Sequence, residues 1–205
     1  MAVDFLFDGP KTAKLTVVLA HGAGAPMDSP FLNFFAERLA AEKFRVARFE
    51  FPYMAERRAT GKKRPPNPAG ILLETYRAVI ERLGPETLVI GGKSMGGRIA
   101  SMVADETGVR GLACLGYPFH PPGKPEKLRT DHLQTLKTPA LFLQGTRDPF
   151  GTRDEVPGFA LSEAIRVHWL EDGDHGFKPR KASGRSEEQN WLEAVEAMAA
   201  FAAAR

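Results

Sequence analysis

Hydrophobic positions follow two alternating rhythms along this chain: short, almost continuous apolar runs, and longer stretches where apolar residues recur at helical spacing. The runs at residues 15–20, 45–51, 87–91, 111–116, 140–144 and 166–170 read as strands, several of them apolar almost throughout. Strands of that kind need cover on both faces, as the central strands of a parallel sheet do. A further edge strand can be placed around residues 3–7.

The helical stretches carry their own punctuation. Ser29-Pro30 has the form of an N-cap followed by proline at the first helical position, after which Phe31, Phe34, Phe35 and Leu39 share one face. Asn67-Pro68 repeats that form ahead of a stripe of Leu72, Tyr76, Val79, Ile80 and Leu83, and Gly84-Pro85 stops it. A third helix should start just after Ser94 and run to about residue 106, and another is expected over 154–162. The last begins at Ser186, which has capping-box spacing to Gln189, and carries Trp191, Leu192, Val195 and Met198. Strands alternating with helices in this way specify the α/β class: a three-layer αβα sandwich around a mostly parallel sheet. Between residues 52 and 67 both rhythms lapse. Arg57, Arg58, Lys62, Lys63 and Arg64 lie there among prolines, so the segment reads as an irregular, solvated basic loop. Covering an active site or contacting an anionic partner are its other readings.

Bulk properties narrow the setting. A chain of 205 residues, 43% hydrophobic and 26% charged, suits one globular domain. No apolar run approaches the roughly 18–20 residues of a membrane-spanning helix. The start, Met1-Ala2-Val3-Asp4-Phe5, lacks the basic residues and long apolar stretch of a secretory signal. A single cysteine, Cys114, cannot form an internal disulfide, and it is most simply a small buried hydrophobe. These features point to a cytoplasmic protein without a membrane partner. The formal charge of +3 is too small to indicate a nucleic-acid partner. Oligomeric state leaves no visible mark.

Chemistry enters at Gly92-Lys93-Ser94-Met95-Gly96, a match to G-x-S-x-G. The pattern is common by itself, but here it stands between a strong strand, Thr87-Leu88-Val89-Ile90, and a helix. A turn that sharp strains its central residue and needs small neighbours, which Gly92 and Gly96 supply while Gly97 eases the helix's approach. It would lift the Ser94 hydroxyl into the cleft at the carboxyl ends of the strands, where such sheets bind ligands.

With these residues the chain resembles a minimal α/β-hydrolase without a large cap, similar to the dienelactone-hydrolase-like esterases. It is most similar to the compact bacterial hydrolases related to the testis-expressed and NSL-complex-subunit hydrolase-like proteins. The likeness runs from residue 15 to the final helix. It rests on His21-Gly22-Ala23-Gly24-Ala25-Pro26, Gly92-Lys93-Ser94-Met95-Gly96-Gly97, Gly145-Thr146-Arg147-Asp148 and Gly173-Asp174-His175-Gly176-Phe177. Some relatives serve in protein assemblies, so the resemblance implies either a serine hydrolase or a scaffold that recruits partners.

Serine needs an adjacent base. Among the five histidines, His175 follows the last strand in a glycine-bearing loop and gives the order Ser…Asp…His of this fold. His168 lies inside a strand and His132 on a polar segment, while His21 and His120 sit on loops at the cleft edge, suited to organising a loop or touching substrate. Asp148 follows the preceding strand and is the expected acid; Asp154 is its rival, and Asp174 should shape the turn. Oxyanion donors are expected at Met95 and at Ala23 or Gly24. Tyr117-Pro118-Phe119-His120-Pro121-Pro122 approaches the cleft, where Phe119 and His120 can form a pocket wall. No phosphate-loop motif occurs, His21-Gly22-Ala23-Gly24 is a poor dinucleotide fingerprint, and no His, Cys and carboxylate set has metal-ligand spacing. The expectation is acyl transfer to water from a small acyl ester, without cofactor or metal; carboxylester, thioester and peptide-like bonds stay open.

Overall fold

In the computed structural model, which describes residues 3–205, the apolar runs form one seven-stranded sheet. Its strands are β1 (Phe5–Asp8), β2 (Thr16–Ala20), β3 (Arg45–Phe49), β4 (Leu88–Lys93), β5 (Gly111–Leu115), β6 (Ala140–Gly145) and β7 (Ile165–Leu170). They lie in the order β1-β3-β2-β4-β5-β6-β7. Every pair is parallel except β1 with β3, so the one antiparallel strand is at an edge. β2, β5 and β6 are buried along their whole length, which explains their unbroken apolar sequence.

Five helices cover the sheet: α1 (Pro30–Ala41), α2 (Pro52–Thr60), α3 (Ala69–Leu83), α4 (Met95–Thr107) and α5 (Glu187–Ala203). Successive residues of β2 serve opposite layers. Val17 and Leu19 pack with Phe35 of α1 and Met198 of α5, whereas Val18 and Ala20 join Tyr76 of α3 and Val103 of α4. Two of the three expected caps form: Ser29 Oγ accepts from Leu32 N–H, and Ser186 and Gln189 complete a reciprocal capping box. Among the described residues, no large cap covers the carboxyl ends of the strands.

Three expectations need correction. Residues 52–67 are not irregular throughout, because α2 occupies Pro52–Thr60, with proline in its first turn and Gly61 closing it at φ 70°. Asn67 does not cap α3, whose N-cap is Pro68. Instead its Oδ1 accepts from Tyr53 N–H at 2.8 Å and satisfies the start of α2. The helix expected over 154–162 is a single 3-10 turn, Val156–Gly158, since Pro157 lacks the N–H that a longer helix would use.

Candidate active site

Ser94 stands where β4 turns into α4, with φ 51° and ψ −114°, a conformation that costs a non-glycine residue about 1–3 kcal/mol. The turn is held by Ser94 N–H donating to Leu115 O at 3.0 Å. Close approach explains its glycines: a Cβ on Gly92 would lie 2.3 Å from Ala20 O, and one on Gly96 would lie 2.6 Å from the same oxygen. Gly96→Ala must therefore push α4 off β2, and we expect it to destabilise the protein by roughly 2–3 kcal/mol, as overpacked cores do. A urea unfolding midpoint equal to that of the wild type would contradict this account of the turn.

The loop after β7 brings His175 to the serine, with Nε2 2.9 Å from Ser94 Oγ and Nδ1 2.8 Å from Asp148 Oδ2. Asp148 is fully buried and oriented from two further sides. Gln144 Nε2 donates to Oδ2 at 3.0 Å, and Phe150 N–H donates to Oδ1 at 2.9 Å. The Phe150 ring also packs against the imidazole, tilted by 31° with centroids 4.2 Å apart. Burial holds the His175 imidazole below its ordinary pKa; Asp148 opposes this, and the Lys93 ammonium adds to it. His175 therefore rests neutral near pH 7. Because the carboxylate accepts a hydrogen bond from Nδ1–H, the proton stays on that nitrogen and Nε2 is left free to accept from the serine.

Facing Ser94 is the loop after β2. Tyr53 Oη donates to Ala23 O at 2.9 Å and to Gly22 O at 3.4 Å, and Arg57 donates to Gly24 O at 3.2 Å. These carbonyls turn toward α2, so across each planar peptide the N–H groups of Ala23 and Gly24 point away from it. At the start of α4, Met95 N–H belongs to the first helical turn, where no carbonyl of the helix can accept it.

A family model described as "Alpha/beta hydrolase domain" matches residues 13–203. The chain belongs to the alpha/beta-hydrolase family. Solved structures agree in fold. An alpha-beta serine hydrolase homologue from Coxiella burnetii is 18% identical, with TM-score 0.69 over 97% of this chain and 91% of that one. A monoacylglycerol lipase from Paleococcus ferrophilus is 14% identical, with TM-score 0.70 over 98% and 99% of the two chains. A dienelactone hydrolase from Anabaena variabilis is 20% identical, with TM-score 0.66 over 95% and 89%.

In this hydrolase the residues expected to touch substrate are elsewhere. His21 is fully buried: its Nε2 accepts from Phe51 N–H at 3.1 Å and its Nδ1 lies 2.7 Å from Gly22 O, so it ties the β2 loop to the start of α2. His120 is buried, its Nδ1 3.0 Å from Pro121 O and its Nε2 3.6 Å from Glu155. Phe119 is fully buried against Tyr117, Phe142 and Phe159. All three shape the loops instead of lining the cleft. Asp154 is exposed, and Asp174 Oδ1 accepts the N–H groups of Gly176 and Lys178. His132 is half-buried, with Nε2 2.8 Å from Ser101 Oγ, and His168 pairs with Glu193.

The open space beside Ser94 is a cleft of about 520 Å³ between the β2 loop, α1 and α5, which His21, His120 and Phe119 do not line. Phe31, Leu32 and Trp191 give it an apolar wall, and Glu187 also lines it. Trp191 is fixed by Nε1–H donating to Gly176 O at 2.9 Å, next to His175. Reading Phe31 and Trp191 as core-facing helix residues concealed this, since the same apolar stripe serves both purposes. Gln144 did leave a signal: it is the one polar residue in the run Ala140-Leu141-Phe142-Leu143-Gln144. Among the described residues, no three His, Cys, Asp or Glu side chains cluster as metal ligands, and no helix is long and apolar enough to cross a membrane.

Proposed function

We propose that this hydrolase cleaves a carboxylester or thioester through an acyl-enzyme on Ser94. The observation that carries the reading is the unbroken hydrogen-bond chain from Ser94 Oγ through His175 to buried Asp148, opening on a cleft. In the first step Oγ attacks the acyl carbon while His175 Nε2 takes the hydroxyl proton. Asp148 holds the tautomer and balances the imidazolium charge. The N–H groups of Met95 and of Ala23 or Gly24 receive the oxyanion. Collapse expels the alcohol or thiol, which leaves with the proton from His175. Water then repeats the cycle on the acyl-enzyme and releases the acid.

A monoacylglycerol lipase and a dienelactone hydrolase among the similar structures favour an acyl–oxygen bond. Phe31, Leu32 and Trp191 favour an apolar acyl chain. Each methylene buried there should contribute about 0.8 kcal/mol, so kcat/KM is expected to rise roughly fourfold per carbon from acetyl toward hexanoyl p-nitrophenyl esters. A flat or falling series would reject that wall as the acyl site. Arg57, Arg58 and Arg64 are engaged with Gly24 O, with Glu50 and Asp28, and with Glu56, which favours a structural part for the basic segment. Buried Cys114 and the absence of any disulfide suit a cytoplasmic setting.

A fluorophosphonate probe combined with short-chain p-nitrophenyl ester turnover tests the reading. Labelling and turnover should vanish in Ser94→Ala; unchanged turnover in both Ser94→Ala and His175→Ala would instead indicate a scaffold with incidental hydrolysis. Catalysis requires neutral His175, so kcat/KM should rise with pH through a midpoint below the ordinary 6.5. A midpoint well above that value would mean that the titrating base is not this buried imidazole.

A further inference from the structure

Lys93 has no part in that mechanism, yet it touches it. It ends β4 directly before Ser94, and its Nζ crosses the sheet edge to donate to the backbone carbonyl of His175 at 2.6 Å. Phe31 of α1 and Phe177, two residues beyond His175, bracket the ammonium, with ring centroids 5.6 and 5.8 Å away. Among the described residues no carboxylate pairs directly with it. Aromatic walls on two sides would suit a methionine or leucine as well, so the packing alone does not call for a charge there.

The charged groups around the pair are few. Asp148, from the loop after β6, and Asp174, from the His175 loop, both favour the charged forms of Lys93 and of His175. Glu187, at the start of α5, lines the same cleft. Burial brings the Lys93 ammonium down to about 8 against those two carboxylates. Ser94 Oγ is the remaining polar neighbour of the imidazole.

We propose that Lys93 is a positioning residue, whose Nζ–carbonyl hydrogen bond ties the His175 loop to the turn that presents Ser94 and sets a cation beside the imidazole. The proposal rests on the reading of His175 as the base. The nucleophile and the anchor of the base are then consecutive residues on one rigid turn. Any movement of that turn carries the imidazole with it and preserves the Oγ–Nε2 separation. The lysine acts in two separable ways. Its hydrogen bond fixes the loop, and its charge opposes protonation of resting His175.

Three variants separate these actions, with kcat, KM and the acidic limb of kcat/KM measured for each on a p-nitrophenyl ester. Lys93→Met loses bond and charge. Its kcat should fall about tenfold with KM within about twofold, since small misplacements of reacting groups cost 10- to 100-fold. Its acidic midpoint should rise by about half a pH unit as the neighbouring cation is lost. Lys93→Gln keeps a donor but no charge, so its midpoint should rise likewise while kcat stays within about threefold of wild type. Lys93→Arg should restore both. Should Lys93→Met fail to fold, the glutamine and arginine variants still decide the matter through the midpoint. Wild-type kcat and an unmoved midpoint in Lys93→Met and Lys93→Gln, with His175→Ala inactive, would overturn the proposal alone. Activity surviving in His175→Ala would overturn it together with the assignment of the base.

Discussion

Ser94→Ala and His175→Ala are each expected to lower kcat by about 10⁶-fold on a p-nitrophenyl ester, and the double variant by hardly more. The non-additivity follows from the geometry. Ser94 Oγ and His175 Nε2 are 2.9 Å apart and act on one proton, so losing either partner leaves the other without a task. Oxyanion donors and cleft contacts do not involve that proton, and KM should stay within a few-fold of wild type. Steady-state kinetics of the two single variants and the double variant, with active-site titration to exclude contaminating wild-type enzyme, measures this. Losses that multiply in the double variant would show that the two side chains act independently, contrary to the proposed mechanism.

Asp148→Asn should reduce kcat by about 10⁴-fold without unfolding the protein. Asp148 receives three donors: His175 Nδ1 and Gln144 Nε2 at Oδ2, and Phe150 N–H at Oδ1. An amide of the same shape must direct its NH₂ toward one of these groups. Facing Phe150, it would set two donors against each other in a buried space. Facing His175, it would meet the Gln144 Nε2 donor as well and would require Nδ1 to accept, so the ring proton would move to Nε2. An Nε2–H cannot take the proton of Ser94. The loss should therefore appear in kcat, with stability lowered by only about 1–3 kcal/mol for the donor left unpaired and labelling by fluorophosphonate slowed in parallel. A loss of less than tenfold would mean that another group orients the imidazole.

Much of this arrangement is legible in the sequence. Residues 15–20 and 140–144 announced themselves as central strands because a strand buried on both faces shows no alternation of apolar with polar positions. The turn at Ser94 was legible because its backbone demands glycine at Gly92 and Gly96, and the distances to Ala20 O show why. His175 and Asp148 could be placed by their order after successive strands. Asn67 misled for a physical reason: a side-chain acceptor before a proline can cap either of two helix starts, and here it serves Tyr53 N–H at the start of α2. The segment 52–67 misled because a short amphipathic helix bearing arginines has the composition of a solvated loop.

Local sequence suffices for the strand–helix alternation, the nucleophile turn and the order of the three candidate side chains, since each depends on local periodicity or on backbone space within a few residues. Only the tertiary structure decided which side of Ser94 is open, that His21, His120 and Phe119 are buried, and that Tyr53 and Arg57 pin the loop bearing Ala23 and Gly24. It also brought Lys93 to a carbonyl 82 residues away. Those contacts join segments distant in the chain, and an apolar or basic side chain carries no record of which distant surface it will meet.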